Sequence, residues 1–210
     1  MYRTAKLINP HHLVINDEHG QSFFGADQEW YPLLWQRKAG CGPTTASHLV
    51  LYTAKKHPHL SIPQVTDKQS MVDLMEAMWL HVTPGIMGTH LVSQFTKGLS
   101  GFLAERSIDL AVDSLALSKS RSSRAPLDSV VTFIEKSLNA DQPVAFLNLN
   151  AGAVQNLDSW HWVTIVGLEQ ELKDGPYMID VFDGGKMWKI NLALWYETTT
   201  RSGGFASLKG

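Results

Sequence analysis

Gly40-Cys41-Gly42-Pro43-Thr44-Thr45-Ala46 carries the only cysteine of this 210-residue chain, with Gln36 five residues before it. Pro43 suits the first turn of a helix, where its missing N–H costs nothing. After it Ala46, Leu49, Val50, Leu51, Tyr52 and Ala54 are apolar nearly all round, the pattern of a buried helix. Cys41 is thus expected to introduce a central helix. The partial positive charge and the N–H groups of a helix N-terminus favour a thiolate there and can steady a developing oxyanion.

A thiolate nucleophile needs a base that later returns its proton, and a third group that orients the imidazole. The second half of the chain supplies candidates. His161 opens the apolar run His161-Trp162-Val163-Thr164-Ile165-Val166-Gly167-Leu168, after a small and polar loop over 150–159. Asp183 ends a strand expected over 177–182 and precedes Gly184-Gly185, a two-residue hairpin signal. If these strands pair antiparallel about a connection centred near Leu172, His161 and Asp183 lie opposite each other. A turn centred on Asp174-Gly175 shifts that register and leaves Asp180 as the alternative. Asp158, three residues before His161 in a loop, is the weaker choice.

Between these ends the pattern is mostly helical first and mostly strand later. The first 40 residues read as loop and short strands, with Trp30, Leu33, Leu34 and Trp35 packing on the core. Thr66-Asp67 caps a helix to about residue 80, with Met71, Leu74, Met75, Met78 and Trp79 as its core-packing stripe. A third helix is expected over 89–99, ended by the glycines at 98 and 101. A strand over 108–117, a helix over 127–138 and strands over 143–149, 161–168, 177–182 and 186–190 follow. Helices then strands is the α+β pattern: one domain over 1–210, mainly helical over about 1–107 and mainly sheet over about 108–210, with a cleft between.

Composition narrows the function classes. A net charge of −2 with no clustered lysine and arginine gives no case for nucleic acid or an anionic membrane. One cysteine excludes an intrachain disulfide framework and any multi-cysteine zinc site. The opening residues lack a signal-type apolar stretch, so a cytoplasmic setting is expected. The other eight histidines, among them His11-His12 and His57-Pro58-His59, show no metal-ligand spacing and read as structural. Gly184-Gly185 and Gly203-Gly204 read as turns. Nothing calls for a metal or a cofactor.

Taken together, Gln36, the Cys41-Gly42-Pro43-Thr44 helix start, the His161-Trp162-Val163 strand and the later Asp183-Gly184 resemble the C39-like branch of the papain-like cysteine peptidases. The resemblance covers roughly residues 30 to 190. It implies Cys41 as nucleophile, His161 as general base and acid, Asp183 as orienting residue and Gln36 as oxyanion donor. Gln36 stands five residues before the cysteine where six is the commoner spacing. The implied substrate is a peptide or amide. The same thioester chemistry serves an amidase or acyltransferase, and a non-catalytic binding domain retaining the fold is the reading from another class.

Overall fold

The computed structural model describes residues 3–170, 172 and 175–209. In chain order these form β1 (Thr4–Lys6), β2 (Val14–Asn16), β3 (Ser22–Phe24), α1 (Leu34–Ala39), α2 (Cys41–Lys56), α3 (Lys68–Trp79), α4 (Val92–Glu105) and β4 (Val112–Leu117). Then come α5 (Leu127–Asn139), β5 (Val144–Asn148), β6 (His161–Gln170), β7 (Tyr177–Asp183), β8 (Lys186–Asn191), α6 (Leu192–Thr198) and β9 (Gly203–Leu208).

The buried helix expected after Cys41 is α2. Each residue from 42 to 54 is buried, so no face of it reaches solvent. It packs on α3, α4 and the sheet, chiefly β6. Truncating a side chain such as Leu49 there would cost about 2–5 kcal/mol, because so enclosed a site cannot collapse onto the cavity. The expected cap of α3 forms: Asp67 accepts from Ser70 N–H while the Ser70 hydroxyl reaches back to Asp67 N–H.

The sheet is antiparallel, ordered β4-β9-β5-β6-β7-β8, with β1 pairing the far end of β6. Helices α1 and α6 form where the sequence reading placed none, and other features also depart from it. Gly98 and Gly101 lie inside α4 rather than ending it. A Cβ on Gly98 would sit 2.6 Å from the His81 carbonyl oxygen, so this glycine permits a close approach of chains, and burial of Phe95, Leu99, Phe102 and Leu103 outweighs its helix cost. Gly203 and Gly204 are in β9, not a turn. Squeezed between β4 and β5, they would place a Cβ 2.7 Å from Leu147 O and 2.4 Å from Leu115 O. Finally, Leu33, just before α1, and Leu34 and Trp35 on it are exposed instead of packing inward, whereas Trp30 is half-buried, edge-on to Phe23. No described helix is long and apolar enough to cross a membrane.

Candidate active site

Cys41 is the first residue of α2 and half-buried. α1 runs almost directly into it: Gly40, between the two helices, has right-handed helical angles and accepts from Thr44 N–H at 2.9 Å. Both glycines beside the cysteine are there for space. A Cβ on Gly40 would lie 2.4 Å from Gln36 O and 2.6 Å from the buried Tyr31 ring, whose hydroxyl donates to Met75 O of α3. A Cβ on Gly42 would lie 2.7 Å from Thr89 Oγ1. The Thr89 carbonyl in turn accepts from Trp162 Nε1 of β6 at 2.6 Å. The thiol is therefore clamped by its neighbours on both sides, which favours a fixed geometry.

His161, the first residue of β6, bonds through Nε2 to Asp183 Oδ1 at 2.7 Å. The route to that contact is not direct opposition. From Gln170↔Tyr177 to Gly167↔Asp180 one register holds, and then a bulge shifts it, giving Ile165↔Val181 and Thr164↔Phe182. Continued by one residue, this sets Asp183 across from Val163, two residues along from His161 and in phase with it. Diagonal neighbours of this kind are within reach of long side chains. Without the bulge Asp183 would oppose Thr164, out of phase with His161. Asp180 is likewise out of phase, opposite Gly167 and 3.7 Å from Lys189 Nζ. Asp174 itself lies outside the described residues, but Gly175 N–H donates to Leu172 O at 2.9 Å, and the Gln170↔Tyr177 pair centres the connection between the two positions weighed from the sequence. The hairpin at Gly184-Gly185 forms as expected, with φ of 57° and 70°, both in the region a tight primed turn requires.

The loop that delivers His161 is tied down by Asn148, its partner across β5 and β6. Fully buried, Asn148 donates to Asp158 O and accepts from Trp195 Nε1 of α6 and from Asn150 N–H. Sequence reading passed over Asn148 because a lone asparagine ending an apolar strand carries no motif.

Cys41, His161 and Asp183 line one cleft of about 180 Å³, with Asp158 at its edge and residues 26–29 as its wall. Burial by itself would lower the His161 pKa. The hydrogen bond and charge of Asp183, together with the Cys41 side chain as a further hydrogen-bond partner, raise it to about 10. The ring is thus held in its charged form at neutral pH, with Nε2 occupied by Asp183.

A second histidine lines the same cleft. His48, two helical turns beyond Cys41 on α2, was read as structural with the rest. It is fully buried, its Nε2 2.7 Å from Ala26 N–H and its Nδ1 2.7 Å from Thr164 Oγ1. Since Ala26 N–H can only donate, Nε2 accepts and the proton sits on Nδ1, donated to the threonine. Burial lowers its pKa to about 4. A Cβ on Gly25 would fall 2.9 Å from this ring, which is how the 25–27 segment closes down to form the cleft wall. The spacing of seven residues from Cys41 was the only signal available.

Gln36, on α1, is buried and accepts from Leu33 N–H through Oε1 at 3.2 Å, while its amide nitrogen has no partner among the described residues. It does not line the cleft shared by Cys41 and His161.

Comparison of the sequence with protein-family models and with curated protein sequences gave no match. Among solved structures, UfSP from C. elegans aligns with a TM-score of 0.50 and 11% identity, over 94% of this chain and 34% of that one. At that identity the likeness concerns architecture. The mixed helices and antiparallel sheet that carry Cys41, His161 and Asp183 are a papain-like α+β fold, which this chain shares with UfSP.

Proposed function

We propose that this protein is a cysteine hydrolase that cleaves a peptide or amide bond through a thioester on Cys41, in the manner of the C39-like peptidases its motifs resemble. The observation that supports this most is the His161–Asp183 contact of 2.7 Å, in a cleft with Cys41, on an imidazole whose pKa is raised to about 10. Such an imidazolium stabilises a neighbouring thiolate. The thiolate attacks the carbonyl carbon, forming a C–S bond. As the C–N bond breaks, His161 gives its proton to the leaving nitrogen. Water then attacks the thioester, its proton passing to His161, and the acid and thiolate are released. Asp183 holds the ring throughout without joining the bond-making step. Gln36 is given the oxyanion on the resemblance of its motif: it stands outside the cleft lining, and its amide nitrogen has no partner among the described residues. A cytoplasmic setting, where a lone thiol stays reduced, belongs to the same reading.

Intact-mass kinetics with iodoacetamide test it. Cys41 in the folded protein should be alkylated readily below pH 7, where an unperturbed thiol of pKa ~8.5 is mostly protonated. An alkylation rate that climbs only near that pH would favour a non-catalytic domain keeping the fold. If labelling is fast, peptide turnover with water or with an added amine as acceptor separates hydrolysis from acyl transfer.

A further inference from the structure

Cys41 is the only described residue lining both of two adjacent hollows. One holds His161. The other, of about 190 Å³, is lined by Trp35, Ile86, Met87, Leu149 and Trp160 with Lys38 at its edge, and by no aspartate or glutamate. Resting on the assignment of Cys41 and His161 above, we propose that this second hollow is the seat of the acyl side of the substrate. We further propose that it selects a peptide with large apolar residues immediately before the scissile bond.

The chemistry fixes which part goes where. The leaving nitrogen takes its proton from His161 and so departs through the hollow that contains His161. The acyl group stays bonded to Sγ and must extend the other way. There it meets large apolar side chains open to solvent: Ile86 is 97% exposed, Met87 57%, Trp35 49% and Trp160 39%. Trp160 also has a φ of 61°, a left-handed conformation that is strained for a bulky residue. That reversal occurs one residue before His161 and leaves the indole facing the second hollow, with the Arg201 guanidinium 5.2 Å from its ring centre. Charge is divided in the same sense. Lys38 lines the acyl hollow and Arg201 lies against the ring of Trp160, while Asp27, Glu29 and Asp158 line the leaving-group hollow with no ion pair among the described residues. A neutral or acidic acyl segment therefore suits the seat and a basic one does not.

The test compares N-acetyl-Leu-Leu-chloromethyl ketone with N-acetyl-Gly-Gly-chloromethyl ketone, whose chloride the thiolate displaces to leave a thioether on Cys41. Covering a leucine-sized side chain is worth enough to favour the Leu-Leu probe by about tenfold to a hundredfold in labelling rate. Ile86→Asp, at a fully solvated position that no core depends on, should cut that ratio by about tenfold. Equal rates for the two probes, with iodoacetamide still fast, overturn the apolar seat and leave the nucleophile standing. A thiol slow towards iodoacetamide as well overturns the underlying assignment and the seat with it. An Ile86→Asp protein with the full Leu-Leu preference also overturns the seat as drawn here.

Discussion

The mouth and the wall of one cleft each hold a mostly buried histidine, and the two are driven in opposite directions. At the mouth, His161 bonds to a carboxylate and its pKa rises to about 10. In the wall, His48 bonds to a backbone N–H and a hydroxyl, and burial lowers its pKa to about 4. Desolvation opposes the charged form at both places. What differs is the partner. An anion bonded to the ring more than offsets the burial at His161, whereas at His48 the bonded partners are neutral and the charge of Asp183 offsets only part of it. Charge therefore collects at the mouth, beside the thiol, and is excluded from the wall that carries the helix.

Removing the ring at the mouth should have the largest effect. His161→Ala should lower the kcat of peptide turnover by about four orders of magnitude, nearly matching Cys41→Ala, because the two act as a unit. Next, Gln36→Ala should lower kcat by about two to three orders with little change in substrate binding, if its free amide end meets the oxyanion. A Gln36→Ala protein with normal kcat would move the oxyanion site elsewhere while leaving Cys41 and His161 in place.

Converting the mouth into a second wall is the sharper test. Asp183→Asn keeps the shape and removes the charge, so burial should win at His161 as it does at His48. Alkylation of Cys41 by iodoacetamide at pH 6.5 should then fall by up to about a hundredfold, towards the small ionised fraction of an unperturbed thiol. A pH profile unchanged by Asp183→Asn would mean that partner charge is not what separates the two histidines.

The wall should register in stability. Unfolded, His48 binds a proton near pH 6.5, while folded it resists protonation until about pH 4. Its contribution is fully present above pH 6.5 and is lost as pH falls towards 4, amounting to about 3 kcal/mol across that window. Urea unfolding of the wild type should show this loss, and His48→Gln, which cannot titrate, should show correspondingly less. The raised pKa of His161 acts in the other direction: its contribution is present below pH 6.5 and is lost as pH rises towards 10.

Much of the helical part was legible because its signals are local. Pro43 and the apolar run after Cys41 mark α2, Asp67 marks the cap of α3, and Gly184-Gly185 marks the hairpin beside Asp183. Glycine was misleading wherever its reason was a neighbour distant in sequence. Gly98 admits His81 and Gly203 admits Leu147, and no pattern along the chain distinguishes these from breakers and turns. Exposure of Leu33, Leu34 and Trp35 was equally invisible, since a short apolar run reads the same whether it faces a core or solvent.

The sequence by itself determined that a lone cysteine would open a buried helix and that His161 and Asp183 would sit at the ends of two neighbouring strands, because helix starts and hairpins depend on residues a few positions apart. Only the tertiary structure decided that those strand ends meet. A single extra residue between Ile165 and Gly167 sets the phase that brings Asp183 to His161 and carries Asp180 out of phase. The same long-range packing decided which of two buried histidines is charged, since a pKa follows from whatever the fold carries up against the ring, and a carboxylate 22 residues away is not a local property of the chain.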